Sequence, residues 1–385
     1  MDFSYGEDLE KLRNEVRAFL AQEWHPDSVE DGHNVDPRIA KEFRRKLAKR
    51  GWLALSVPKE YGGAGLSAME QYVFVEEMAY HNAPTPGFGP NIVAPTLVRV
   101  GSEDQKKRFL PGIMSGEVEF CLGYTEPAAG SDLASMEARA VEDGDDYVIN
   151  GQKVFNTYGH HADWCWLAAR TDPDVPKHKG ISIFMVDMKS PGVTVGPIWT
   201  MGGWRVNAIY WDNVRVPKKD LVGEMNKGWY YMATALDYER FTVNPTGPVK
   251  SLFERLVNYV KETNRNDKPL KDDPDVREKL ASLACDIQMV ELIHHRSAWV
   301  ASQGIVPANE AAMQKWVTTE VSQRLGHLGT QILGLYGQLE QGSKYAPLQG
   351  LLESHHRAAV VGPIAAGSNE IQRNIVATRG LGLPR

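Results

Sequence analysis

The chain has 385 residues, which is too many for a single hydrophobic core, so two or three domains are expected. Its net charge is −6 with both signs interspersed, which argues against a nucleic-acid or anionic-membrane partner. The three cysteines fit neither disulfide nor metal spacing, and no apolar run approaches about 18 residues. The N-terminus carries no basic and apolar signal region. These features predict a cytoplasmic protein without a resident metal.

Residues 1–115 are predicted to form an all-helical N-terminal domain. Apolar residues recur there at helical spacing, with breaks at proline and glycine. Ser102 is the expected N-cap of one of these helices. Gln105, three positions later, stands in the capping-box position.

The pattern changes to short β-branched and aromatic runs in residues 116–225. Asn150-Gly151 lies between two such runs, and this pair favours a type I′ hairpin turn. Because no long helices separate the runs, we predict a central antiparallel β-domain.

Helical periodicity returns in residues 226–385, where Leu252 and Leu256 share one face and Leu283 and Ile287 share another. The order of helices, then strands, then helices predicts an α+β fold with segregated layers. Pro245 and Pro248 predict either a bend in a helix of this last domain or a plain helix break.

The glycine-rich segment YTEPAAGSD, 124–132, is the strongest candidate for ligand binding. No G-x-G-x-x-G after a strand, P-loop or H-E-x-x-H is present, which disfavours nucleotide and zinc hydrolases. Small residues allow backbone N–H groups and the hydroxyls of Thr125 and Ser131 to approach a planar or anionic ligand. An ordinary turn-rich loop is the alternative that composition leaves open.

YTEPAAGSD, KVFNTYGHHADW and SNEIQRNIVATRGLGLPR together resemble the acyl-CoA dehydrogenase family of flavoproteins, and the resemblance covers essentially the whole chain. It implies an N-terminal helical domain, a central β-domain and a C-terminal four-helix bundle. It also implies FAD as cofactor and α,β-dehydrogenation of an acyl-CoA thioester. Electrons would pass to an electron-transfer flavoprotein. A flavin acyl-CoA oxidase is a rival within the same fold.

The resemblance assigns residues to the flavin and substrate sides of the pocket. Phe155 stands where many members have a tryptophan against the flavin, although plain core packing is the alternative for this ring. Ser131 is assigned to both flavin and substrate. The full set on the cofactor side is Leu122, Tyr124, Thr125, Gly130, Ser131, Phe155, Thr157, Gln331, Gly334, Ser368 and Glu370.

The catalytic base is absent from its commonest place. Many members have a glutamate directly before the glycine that matches Gly367, whereas this chain has Ala366. Glu370 is interpreted as a helix-start or cofactor-side residue. Isovaleryl-type members instead carry the base on the first helix of the last domain, where Glu239 stands in ALDYERF. Arg240, which follows it, is assigned to the substrate side or to fixing this helix.

Two segments depart from the family pattern. An Arg-x-x-Phe-Gly motif that reaches a neighbour's flavin is replaced here by Thr263, Asn266 and Asp267 at the corresponding places, with Arg265 as a possible substitute. In QILGLYG, 331–337, Leu335 replaces a glycine near the ADP pyrophosphate. The resemblance therefore implies either a homodimer or homotetramer, or an α2β2 heterotetramer in which a sister subunit supplies the ADP contacts. The heterotetramer would suit a substrate with a steroid-type or otherwise bulky acyl chain. The alternative function for this chain is that of a non-catalytic partner subunit.

Overall fold

The computed structural model describes residues 5–25, 35–239 and 244–384, with the backbone alone for 234–239. Its first part is helical, and Ser102 caps the last of these helices through a capping box with Gln105, as predicted. A π-helical turn, Gly89–Val93, precedes the fourth helix. The helices are α1 (Glu7–Glu23), α2 (Pro37–Lys49), α3 (Ala68–Tyr80), α4 (Ala94–Val100) and α5 (Glu103–Met114).

A twisted sheet follows, and its strands are mostly antiparallel. The strands are β1 (Phe120–Gly123), β2 (Arg139–Asp143), β3 (Asp146–Lys153), β4 (Trp164–Arg170), β5 (Ile181–Asp187), β6 (Val193–Trp199), β7 (Arg205–Pro217) and β8 (Leu221–Val222). They lie in the order β6-β7-β3-β2-β4-β5-β8, with β1 beside β4. The pairs β1–β4 and β2–β4 are parallel, and the other pairs are antiparallel. The predicted central β-domain is therefore confirmed.

The prediction of a hairpin turn at Asn150-Gly151 is wrong. Strand β3 runs straight through this pair, and the chain turns earlier, at Gly144. The ladder between β3 and β7 shifts register at this point, and Gly151 has φ 148°. A Cβ there would lie 2.6 Å from the Cβ of Ala138. The glycine therefore serves a bulge and a close backbone approach, which local turn chemistry does not distinguish from a hairpin.

The last part is a helical bundle, as predicted, with a core that includes Leu256, Leu283 and Leu325. A two-stranded hairpin of β9 (Asn264–Arg265) and β10 (Lys268–Pro269) interrupts it. The helices are α6 (Gly228–Glu239), α7 (Gly247–Glu262), α8 (Pro274–Ser302), α9 (Ala308–Leu333), α10 (Leu351–Ala358) and α11 (Asn369–Ile375). The described residues 244–246 are not helical, and α7 begins after them with Pro248 in its first turn, so the chain shows a helix break here and not a bend within one helix.

The parts of the chain contact one another closely. A Cβ at Gly228 would lie 2.7 Å from the carbonyl carbon of Ser182, so α6 begins directly against β5. Arg357 of α10 donates to the carbonyl of Met201, in the turn between β6 and β7, at 2.9 Å. The predicted domain boundaries at 115/116 and 225/226 fall in connecting segments and stay predictions. No described helix is both long enough and apolar enough to cross a membrane.

Candidate active site

The loop that follows β1 is closed by its own backbone. Glu126 and Ala129 exchange two backbone hydrogen bonds, at 3.2 and 3.1 Å. Gly130 and Ser131 come next and are exposed. A Cβ placed on Gly130 would meet no atom within 4 Å, so open space lies beside the loop. The loop thus presents a hydroxyl and bare backbone to a space where a ligand can approach.

Residues 154–157 lie alongside this loop. The N–H of Val154 donates to the carbonyl of Thr125 at 2.8 Å. The side-chain amide of Asn156 donates to the carbonyl of Leu122 at 2.6 Å. The structure therefore brings Leu122, Tyr124 and Thr125 together with Phe155 and Thr157, two segments that are distant in sequence.

Phe155 is held outward by its backbone. Its φ is 60°, in the left-handed region that a non-glycine residue rarely adopts, and its side chain is 62% exposed. Core packing, the alternative for this ring, is therefore excluded. A backbone outlier beside a candidate ligand site is the kind of strain that functional sites store. Asn156, the next residue, is buried, and its Oδ1 has no partner among the described residues.

A buried ion pair between Lys153 and Glu126 holds this loop against the end of β3. It was not predicted from the sequence. Lys153 is fully buried, and its Nζ lies 2.7 Å from Glu126 Oε1 and 3.1 Å from the carbonyl of Tyr124. The other oxygen of Glu126 accepts the N–H of Glu137 at 2.6 Å. Burial lowers the pKa of Lys153, and the carboxylate of Glu126 opposes that shift. The pair joins the loop to the end of β3.

Lys153→Met should destabilise the protein by about 3–5 kcal/mol, because it leaves the buried Glu126 without its cation. Urea unfolding of the wild type and the variant measures this difference. The double variant Glu126→Gln/Lys153→Met removes both charges and should recover part of the loss. A single-variant cost below about 1 kcal/mol would mean that the pair does not support the loop.

The C-terminal motif forms a capped helix start. The Ser368 hydroxyl accepts the N–H of Ile371 at 3.5 Å, and Glu370 lies exposed in the first turn of α11. Hydrogen bonds from its own backbone N–H and from Ser368 lower the pKa of Glu370. Before this helix, Ala366 has φ 54° and Gly367 has φ 79°. The carboxylate of Glu370 is thus an ionised, solvated helix-start group, in keeping with the non-catalytic interpretation.

Asn369 ties this turn to α9. Its Oδ1 accepts hydrogen bonds from Lys315 Nζ at 3.0 Å and from the Thr319 hydroxyl at 3.1 Å, and all three side chains are buried. Burial lowers the pKa of Lys315 to about 8, and the charge of Glu370 opposes the shift. The buried amine of Lys315 therefore holds Asn369, the residue between Ser368 and Glu370, against α9.

Lys315 should make stability rise with pH above about 8. Its folded-state pKa lies below the unfolded value of about 10.4, so between these values the unfolded chain binds more protons. The free energy of unfolding should therefore increase across this interval, by on the order of 1–3 kcal/mol. Urea unfolding from neutral pH to pH about 10 checks this, with Lys315→Met as the control that lacks the increase. Parallel curves for the two proteins would contradict it.

Glu239 is the last residue of α6, and the structure describes its backbone but not its side chain. Arg240 lies outside the described residues. α6 begins against β5 and contacts the Gly89–Val93 turn and α4. The roles of both residues stay predictions.

The residues assigned to the ADP side of the cofactor lie at the end of α9. This region departs from the family pattern. Arg265 is exposed, but its guanidinium donates a hydrogen bond to the carbonyl of Ile332 in its own chain. Gly334 follows with φ 65°, and Gln331 bonds His327 at 2.9 Å. Leu335 is 83% exposed where a glycine was expected. Arg265, the candidate substitute for the missing motif, is therefore engaged within its own subunit.

Two cavities lie away from these residues. One is between α3 and α7 and includes Tyr80 and Glu254, and the other is between α5 and β8 and includes Gln105 and Leu221. None of the residues assigned from sequence to the cofactor, the substrate or catalysis lines either cavity. In the part of the chain that the structure describes, no group of three or more His, Cys, Asp or Glu residues is arranged to hold a metal ion.

Comparison with known proteins covers the whole chain. Family models described as the N-terminal, middle and C-terminal domains of acyl-CoA dehydrogenase match residues 6–117, 121–214 and 226–381. The chain is 37% identical over 399 residues to acyl-CoA dehydrogenase FadE26 of Mycobacterium tuberculosis, covering 100% of this chain and 99% of that protein. It is 39% identical to acyl-CoA dehydrogenase FadE29 of the same organism, covering 97% of each.

Two solved structures are similar over their full length. The steroid ACAD Tcur3481-Tcur3483 matches with a TM-score of 0.93 and 38% identity, covering 100% of both chains. The ChsE4-ChsE5 complex from Mycobacterium tuberculosis matches with a TM-score of 0.92 and 37% identity, again covering 100% of both chains. The similarity therefore extends through all the layers of the fold.

Proposed function

Because this chain belongs to the acyl-CoA dehydrogenase family, we propose that it carries out FAD-dependent α,β-dehydrogenation of an acyl-CoA thioester, with Glu239 as the base. The observation that carries the proposal is the contact between the loop 122–131 and residues 154–157, beside open space at Gly130. A planar ligand can lie there against backbone, hydroxyl and aromatic groups.

The residues around that space fit the isoalloxazine half of FAD. Thr125, Ser131 and Thr157 would supply hydroxyls and backbone groups, and the exposed ring of Phe155 would cover one side. When bound, FAD supplies the hydride acceptor for the β-carbon of the substrate. The buried Lys153–Glu126 pair keeps the loop in place beneath the ligand.

The base takes the α-proton, while the β-hydride leaves and a carbon–carbon double bond forms between the two carbons. Such a group must lie beside the α-carbon in a site that is shielded from water, where its pKa rises towards the working pH. Ala366 has no acidic group, and the carboxylate of Glu370 is exposed with a lowered pKa. These two observations support Glu239 as the proton acceptor.

A partner subunit is the second part of the proposal. The ADP-side residues fit the cofactor poorly, because Arg265 bonds Ile332 of its own chain and Leu335 projects where close approach is needed. A sister subunit that supplies the ADP contacts would give an α2β2 heterotetramer. One of the two similar structures is a complex of ChsE4 with ChsE5, which supports this arrangement. A homodimer or homotetramer is the alternative.

The proposed substrate is a bulky, branched or steroid-type acyl-CoA, and the proposed electron acceptor is an electron-transfer flavoprotein. The steroid designation of a similar structure supports the first point. The test is anaerobic mixing with butyryl-CoA, isovaleryl-CoA, cyclohexanecarbonyl-CoA and a CoA thioester with a steroid side chain. Loss of the visible flavin absorbance with at least one of them is expected. A flavin that none of them bleaches would contradict the proposal, and rapid reoxidation by oxygen would indicate an oxidase.

A further inference from the structure

The chain bulges out of the sheet at Phe155 and returns to it at the next residue. Strand β3 pairs with β7 as far as Lys153, which stands opposite Ile209. The backbone N–H of Asn156 then donates to the carbonyl of Asn207 at 2.9 Å. Three residue steps on one side therefore face two on the other, which is the residue count of a β-bulge. The bulge leaves Phe155 with its left-handed φ of 60°.

The side chain of Asn207 closes this bulge. Its Nδ2 donates to the carbonyl of Asn156 at 2.8 Å, so one residue of β7 bonds both backbone groups of Asn156. Asn207 is fully buried, so water does not compete for these hydrogen bonds. A Cβ at Gly159 would lie 3.4 Å from Asn207 Nδ2 and 3.4 Å from the carbonyl oxygen of Asn156, so the contact is closely packed. Asn207 therefore fixes the position of the residue that directly follows Phe155.

Two neighbours fix the orientation of the Asn207 amide. Arg205 Nε, which can only donate, lies 2.9 Å from Asn207 Oδ1. Nδ2 therefore faces Asn156, and its second hydrogen is available to His160 Nδ1, which lies 3.0 Å away. Burial lowers the pKa of His160 to about 4, as do His161 and Arg205, so the ring is neutral at neutral pH and its Nδ1 accepts. The oxygen and both hydrogens of the amide are thus engaged.

We propose that Asn207 is a positioning residue that holds the ring of Phe155 against the flavin. It acts through Asn156, whose N–H and carbonyl it bonds. This inference rests on the proposed function, in which Phe155 covers one side of the isoalloxazine. Without the amide donor, the bulge loses a buried hydrogen bond that maintains the unfavourable φ of Phe155. A displacement of about 1 Å between reacting groups can cost about 10²-fold in rate, so the effect falls on flavin reduction and not on thioester binding.

Asn207→Asp keeps the shape of the side chain but replaces the donor that faces Asn156 by an acceptor. In the flavin-containing enzyme, including its partner subunit where one is present, anaerobic bleaching by the fastest thioester of the panel should slow about 10- to 100-fold. The half-saturating thioester concentration should change less than about threefold, and the visible absorption maximum of the bound flavin should shift. Asn213→Asp is the matched control, because it makes the same change on the same strand at an exposed residue that bonds Asn150. Its spectrum should be that of the wild type, and its bleaching rate should stay within about twofold.

A double-mutant cycle with Phe155→Ala shows whether the effect passes through that ring. Asn207→Asp should slow bleaching at least about threefold less in the Phe155→Ala background than in the wild type, because the ring that it displaces is already gone. If Asn207→Asp does not fold, Asn207→Ala, which adds no charge, replaces it in the same measurements. Wild-type bleaching and spectrum in the Asn207 variant, or an equal loss of rate in both backgrounds, would overturn the proposal. Failure of the proposed function is distinguishable, since no thioester of the panel would then bleach the wild type itself.

Discussion

Purified by itself, this chain should carry well under one FAD per chain, and its complex with a sister subunit should carry one FAD per pair of chains. Family resemblance implies that each flavin spans two subunits. Here the loop 122–131 presents an open isoalloxazine side, whereas Arg265 caps the carbonyl of Ile332 and Leu335 is exposed on the ADP side. Losing the ADP contacts weakens binding steeply, because every 1.4 kcal/mol is about tenfold in affinity.

The measurement is the FAD released on denaturation per mole of chain, together with the mass of the complex by analytical ultracentrifugation. Two matched variants locate the site in the complex. Gly130→Val fills the open space beside the loop and should remove most of the flavin. Leu335→Ala shortens an exposed side chain on the ADP side, which this chain is expected not to use for FAD. It should leave the flavin content unchanged. One FAD per chain in a homo-oligomer of this chain alone would contradict the prediction.

Local signals in the sequence predicted much of the fold. The capping box of Ser102 and Gln105 and the helical periodicity of the last domain depend on residues that are close in the chain, and both are confirmed. The hairpin at Asn150-Gly151 failed because the same dipeptide suits a bulge. Pairing with β7 decides between a hairpin turn and a bulge at this dipeptide. Because β7 lies far along the chain, no local sequence pattern contains that information.

The candidate site was likewise predictable only in part. Its two motifs are recognisable one at a time, but the contact of Leu122 with Asn156 and the Lys153–Glu126 pair exist only once β1 and β3 are in place. One signal was available: Lys153 falls on the inward-facing alternation of β3, with Tyr147 and Ile149. A lysine at such a position requires a buried partner.

Glu239→Gln should retain the flavin and slow thioester-dependent bleaching about 10³-fold or more. A neutral amide accepts no proton, and general-base catalysis contributes about 10²- to 10⁴-fold. Glu370→Gln separates the two interpretations of Glu370: as an exposed helix-start residue it should keep the flavin content and the bleaching rate near wild type, whereas a cofactor-side residue would lose flavin. Adding Ala366→Glu to Glu239→Gln should restore part of the rate, since it moves the base to the position that many family members use.

The anaerobic bleaching rate of Glu239→Gln, measured by stopped-flow with the fastest thioester on the flavin-replete complex, tests the central claim most directly. That claim is that the base lies on α6 and not in the turn at Ala366. We expect full flavin content, saturable thioester binding and a rate at least about 10³-fold below the wild type. Bleaching at the wild-type rate would contradict it, and would assign the chemistry to another residue or to the partner subunit.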